Sequence, residues 1–138
     1  MESANQKDII KRLETYGIYP TAQRIKIAEV MLARAQHMSA DNVMQTLDTG
    51  EAAVSKATVY NTLGLFAKKG LLREVIVDPS KVFYDSNTSE HHHFYNIDTG
   101  ELSDIHAEQM TIGQLPDVPD STEMDGVEVI IRVREKNS

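Results

Sequence analysis

Residues 55–85 read SKATVYNTLGLFAKKGLLREVIVDPSKVFYD, a capped amphipathic segment running into two β-prone runs, and this order restricts the fold of the first half more than any other feature. Ser55 is placed as a side-chain N-cap. Val59, Leu63 and Phe66 then fall on one helical face, and Gly70 ends the periodicity. LLREVIVD and KVFYDS follow as strands, joined by the turn tripeptide Asp78-Pro79-Ser80. Three further helical segments lie upstream. Ile10 and Leu13 stand at i, i+3 before Gly17, which is placed as a helix stop. Pro20 and Thr21 open PTAQRIKIAEVMLAR, where Ile25, Ala28 and Leu32 form one stripe with Ile27 and Met31 beside it. Ser39 is placed to cap a third segment carrying Ala40, Val43, Met44 and Leu47, with Gly50 at its end. Helices followed by a hairpin is the order of a winged helix-turn-helix, with the third and fourth helices as the helix-turn-helix pair.

The pattern changes after about residue 87. HHFYNI and ELSDI flank Asp98-Thr99-Gly100, which reads as a tight hairpin. QLPDVPDSTEMDG carries two prolines and many turn formers, and VEVIIRV reads as a final strand whose apolar face suits a dimer core. The expected class is α+β: a winged-helix domain over 1–84, a hinge over 85–90, and a small α/β or mostly β domain over 91–138. A domain of roughly 50 residues buries too little surface to be stable alone, so a dimer is expected.

The net charge of −7 is unevenly distributed. Residues 1–74 carry 10 Lys+Arg and 8 Asp+Glu, a net +2, while residues 75–138 carry 4 and 13, a net −9. The first part suits phosphates and the second suits cations. The 138 residues contain no cysteine, which excludes disulfides, thiolate zinc sites and cysteine nucleophiles. No run of about 18 apolar residues offers a membrane span. MESANQKDIIKR lacks the apolar core of a secretory signal, so a cytoplasmic location is expected.

In the fourth helical segment, Lys56, Ala57, Thr58, Tyr60 and Asn61 occupy the N-terminal turns that a recognition helix offers to base edges. Asparagine pairs bidentately with adenine, and threonine or alanine methyls meet the thymine methyl. Lys56 and Arg24 suit phosphates, which position the protein without specifying sequence. The backbone amides after Thr21 offer a further phosphate seat. Periodicity alone leaves open a helix-turn-helix module that binds proteins rather than duplex DNA.

SEHHHFY supplies three of the five histidines. On a strand, His91 and His93 point one way and His92 the other, so the first two form a chelating pair. Asp85, Asp104 and His37 are candidate partners from neighbouring segments. A set of nitrogen and oxygen donors suits Fe2+, Mn2+ or Zn2+. The competing reading is a surface tract that binds metal adventitiously. No H-E-x-x-H or similar catalytic spacing occurs, so a metallohydrolase is not expected and the chain is not read as an enzyme.

TAQRIKIAEVML, HMSADNV, SKATVYNTLGLFAKKGLL, FYDSNTSEHHHFYNIDTGELSDI and VEVIIRV together resemble the ferric uptake regulator superfamily over roughly residues 8–134. The resemblance implies a homodimeric winged-helix repressor that binds a palindromic operator in double-stranded DNA and is governed by a metal. Carried over residue by residue, it implies a regulatory site of His37, Asp85, His91, His93 and Asp104. The aspartate at position 85 is similar to the peroxide-responsive branch, where Fe2+ reacts with peroxide. HHHFYN and TGELSDI are equally similar to the iron response regulator branch, which senses haem in some members and is there released from DNA by it. His92 is then the candidate ligand for haem or a second metal, with His106 and Glu108 as weaker partners. Tyr19 stands where the family often has a basic residue that reaches the minor groove. Many members hold a structural zinc through two C-x-x-C pairs; Asn96 and Thr99 stand at the first pair, so that zinc is not expected. Pro116 and Pro119 fall where the family has a long helix, which is expected to be shortened or lost.

Overall fold

The computed structural model describes residues 6–47 and 54–136. They form two compact units, 1–88 and 89–138.

The first unit begins with α1 (Gln6–Thr15), α2 (Ala22–Leu32), a short β1 (His37–Ser39), α3 (Ala40–Leu47) and α4 (Lys56–Lys68), and closes with the hairpin β2 (Arg73–Asp78) and β3 (Lys81–Asp85). The caps sit where the side-chain chemistry places them. Thr21 Oγ1 accepts from Arg24 N–H at 3.2 Å to start α2, and Ser55 Oγ accepts from Thr58 N–H at 3.1 Å to start α4. Ser39 and Asn42 cap α3 reciprocally: Ser39 Oγ accepts from Asn42 N–H, and Asn42 Oδ1 accepts from Ser39 N–H. Gly50, expected to end that helix, lies outside the described residues.

Gly70 ends α4 at φ +87°, a conformation that costs a residue with a Cβ. Leu71 N–H then donates back to the Phe66 carbonyl at 2.9 Å, a helix-closing bond of the Schellman type. In the wing, Asp78 accepts from both the amide and the hydroxyl of Ser80, at 2.8 and 2.7 Å. These bonds hold the Asp78 carboxyl below its ordinary pKa.

Helix α2 packs against α1, α3 and α4. That central position explains why Ile25, Ile27, Ala28 and Met31 are all buried, the apolar face that the stripe and its two neighbours form, whereas Leu32, expected on the stripe, is only half-buried. Val59, Leu63 and Phe66 of α4 are fully buried, as their spacing predicts. The strand β1 was not expected, and His37 lies on it. It adds to the wing sheet in the order β1-β3-β2, pairing antiparallel with β3.

In the second unit, β4 (His92–Asn96) and β5 (Leu102–Ile105) form an antiparallel hairpin, and β6 (Ile130–Val133) pairs parallel with β4 on its other side. Gly100 at φ +77° closes the hairpin turn, donating to the Asn96 carbonyl at 2.8 Å. Between β5 and β6 the only helical turn among the described residues is a 3-10 turn over Ala107–Gln109. No α-helix spans Pro116 and Pro119, whose rings fix φ and remove amide donors. Among the described residues of the protein, no helix is long and apolar enough to cross a membrane.

Candidate functional site

In the second unit, the start of the β4–β5 hairpin gathers three metal-type donors. His91 immediately precedes β4 and His93 lies within it, so strand alternation turns both rings to one face, where both are buried. Asp104 stands opposite His93 in the ladder. Its Oδ1 lies 3.5 Å from His91 Nε2 and 3.4 Å from His93 Nε2. The two imidazoles are 4.5 Å apart between centroids and inclined at 60°, so they converge rather than stack.

These donors fit a divalent ion on two counts. Two ligand atoms held about 2.1 Å from one ion, at angles of about 90–109°, are themselves about 3.0–3.4 Å apart, close to the spacings around Asp104 Oδ1. The tautomer also suits. His91 Nδ1 lies 2.7 Å from the Ser89 carbonyl, an acceptor only, so Nδ1 carries the proton and Nε2 keeps its lone pair for the site.

His92 faces the other way. Its Nδ1 accepts from Val129 N–H at 3.0 Å, which uses the single lone pair of the neutral ring. His106 and Glu108 are exposed at the 3-10 turn, where His106 N–H donates to Gln109 Oε1 at 3.0 Å. Among the described residues, His92, His106 and Glu108 form no group of converging metal donors.

In the first unit, His37 on β1 and Asp85 on β3 are register partners. The His37 ring meets Phe83 edge-on at 6.3 Å between centroids. Asp85 is 2% exposed, and its Oδ1 accepts from Asn87 N–H at 2.9 Å. The wing edge is tied to the start of β1, because Ser86 N–H donates to the Gln36 carbonyl and Gln36 N–H donates to Ser86 Oγ, both at 3.0 Å. The missed β1 is what brings positions 37 and 85 together. A three-residue strand between two helices carries too little alternation to be read from sequence.

The nucleic-acid candidates are on the same unit. Thr58 and Asn61 of α4 line a polar cavity of about 290 Å³ together with Thr21, Gln23 and Arg24 at the start of α2. Arg24 donates to the Tyr19 carbonyl at 3.0 Å, and Tyr19 is 76% exposed. Lys56 stands 5.7 Å over the Tyr60 ring and 3.9 Å from Asp41 Oδ1. Helix α4 thus shows an outer face of Lys56, Ala57, Tyr60 and Asn61, while its other face forms the core.

The Ferric uptake regulator family matches residues 15–124 of the chain. The protein belongs to that family. It is 30% identical over 106 residues to the peroxide operon regulator of Bacillus subtilis strain 168, covering 77% of this chain and 73% of that one. It is 31% identical over 104 residues to the peroxide-responsive repressor PerR of Staphylococcus saprophyticus, covering 75% and 70%. Among solved structures, the ferric uptake regulator of Pseudomonas aeruginosa with manganese is similar at 25% identity and a TM-score of 0.66, over 92% of this chain and 97% of that one. The Vibrio cholerae ferric uptake regulator shares the fold at 22% identity and a TM-score of 0.68, over 91% and 98%.

Proposed function

We propose that this protein is a metal-dependent, DNA-binding transcriptional repressor of iron or peroxide-stress genes. In this reading His91, His93 and Asp104 form the core of its regulatory site, and His37 and Asp85 complete it. The observation that carries the reading is the convergence of the His91 and His93 Nε2 atoms on one oxygen of Asp104. Family membership and the names of the curated relatives support the same reading.

Two neutral imidazoles with carboxylates suit Fe2+ or Mn2+, and Zn2+ also binds such a set in vitro. When bound, the ion supplies a positive centre that draws the carboxylates and imidazoles together, and Fe2+ adds reactivity toward peroxide. His37 and Asp85 belong to the DNA-reading unit, whereas the other three donors belong to the second unit. Holding all five at once favours one arrangement of the two units about residues 85–90 and shifts the population toward it. Two units of a homodimer then read half-sites of a palindromic operator at a fixed spacing. Arg24 and Lys56 hold phosphates, Tyr19 stands at the position that faces the minor groove, and Thr58, Tyr60 and Asn61 meet bases. The haem-released alternative receives no support from His92, whose lone pair is engaged by the Val129 amide.

The test is anaerobic titration of metal-stripped protein into its own promoter duplex, with and without Mn2+. A rise in affinity of about tenfold or more, equivalent to about 1.4 kcal/mol, is expected and should vanish in His93→Ala. Equal affinity with and without metal would defeat the reading.

A further inference from the structure

A second carboxylate lies against the other ring nitrogen of His93. Glu128 Oε2 stands 4.0 Å from His93 Nδ1, and both atoms are buried from solvent. The backbone builds this placement. Strand β6 runs parallel to β4 with Ile130 opposite His93. His93 N–H donates to the Val129 carbonyl at 3.2 Å, and Val129 N–H donates to His92 Nδ1 at 3.0 Å. Residue 129 is thus anchored to two consecutive histidines, and residue 128 is delivered to the back of the His93 ring.

We propose that Glu128 is a positioning residue for His93: its carboxylate holds the imidazole in the Nδ1–H form and leaves the Nε2 lone pair on the side of Asp104. The separation is longer than a hydrogen bond, so the carboxylate acts at this distance through its charge, which favours a proton on the facing nitrogen. A buried setting strengthens that field. The arrangement parallels His91, whose Nδ1 proton is fixed by the Ser89 carbonyl. Both histidines are then set to the same tautomer by different means, one by a neutral carbonyl and the other by a charge. A carboxylate behind a ligating imidazole also raises its basicity as a ligand. The sequence offers little sign of this role, because it depends on a parallel β4–β6 pairing across more than thirty intervening residues.

This inference rests on the metal-site reading above, and the experiment separates the two. Long-range proton–nitrogen NMR spectra of the metal-free protein, at a pH where the imidazoles are neutral, report the His93 tautomer directly. The expected wild-type form is Nδ1–H, giving way to a mixture in Glu128→Leu. Mn2+ titrations followed by electron paramagnetic resonance should show affinity about 10–100-fold lower in Glu128→Gln. The thermal midpoint of the metal-free variant should be unchanged. A wild-type His93 in the Nε2–H form, or a tautomer indifferent to Glu128→Leu, overturns the assignment. So does a Glu128→Gln affinity within twofold of wild type. Failure of the wild-type protein to bind Mn2+ overturns the metal-site reading instead, and the tautomer spectra, which need no metal, tell the two failures apart.

Discussion

Asp104 faces His93 across the β4–β5 ladder, and its Oδ1 lies 3.4 Å from His93 Nε2 while remaining 3.5 Å from His91 Nε2. One oxygen therefore serves both imidazoles. Under the proposed function, Asp104→Ala should lower Mn2+ affinity by at least the roughly 10–100-fold typical of losing a supporting group, since that reading makes Asp104 a direct donor. Asp104 is about 39% exposed at its side chain, so the metal-free fold should survive. Competition titration against a chelator, with a thermal melt as control, checks both halves of the prediction.

His37 and Asp85 stand opposite one another across β1 and β3. Side chains at such positions share a face and lie within reach of each other. Under the proposed function, His37→Ala should reduce metal-dependent DNA binding about tenfold or more while leaving metal-free unfolding within about 1 kcal/mol of wild type, because His37 is only half-buried. Fluorescence anisotropy on promoter DNA with and without Mn2+ measures the first, and urea unfolding the second. An unaltered metal response would remove His37 from the site.

Asn61 and Arg24 border the same polar cavity but should read different parts of a duplex. Asn61→Ala should relax preference at one base position, costing about 1–3 kcal/mol on the specific site. Arg24→Ala should weaken specific and random duplexes alike and reduce the salt slope of binding by about one. Its guanidinium also donates to the Tyr19 carbonyl, so Tyr19 should become more mobile in this variant. Salt-dependent titrations on both duplexes separate the two roles.

Tyr84 on β3 lies opposite Met38 and Glu74 in the wing sheet. Burial, with the Glu74 charge adding to it, pushes its hydroxyl above the ordinary tyrosine pKa. A raised folded-state pKa contributes stability that is full below the unfolded pKa of about 10 and is lost as pH rises through the folded value. Tyr84→Phe should therefore flatten the fall of stability above about pH 10. Denaturant melts at a series of alkaline pH values check this, and parallel curves for both proteins would count against it.

The elements that sequence made legible are those specified locally. Ser55, Thr21 and Ser39 announce helix starts because a short polar side chain satisfies amides within its own first turn. Gly70 and Asp78-Pro79-Ser80 announce an ending and a turn for equally local reasons. His91 and His93 declare themselves through strand alternation, and their convergence on Asp104 needs only the hairpin that Gly100 closes. Illegible features depend on distant segments. β1 exists because β3 offers it an edge. β6 lies parallel to β4, and parallel pairing leaves no turn signature. The engagement of His92 follows from that pairing, which is why the sequence suggests an available ligand where the structure shows an occupied lone pair.

Asn96 occupies the place where many family members begin a zinc-binding cysteine pair, and it acts here as a hydrogen-bonded clamp. Its Oδ1 accepts from Asp98 N–H at 2.9 Å and Thr99 N–H at 3.1 Å, shaping the hairpin turn. Its Nδ2 donates to Glu135 Oε2 at 3.0 Å, and Glu135 N–H donates in return to Asp98 Oδ2 at 2.9 Å. Ile97 N–H donates to the Val133 carbonyl at 2.9 Å, so the turn and the chain after β6 are joined at three points. A partly exposed network of this kind contributes about 1–2 kcal/mol, far less than the binding free energy of a structural zinc. Asn96→Ala should therefore lower unfolding stability by about 1–2 kcal/mol in urea melts. An Asn96→Ala variant as stable as wild type would show that these bonds do not hold the turn to the chain after β6.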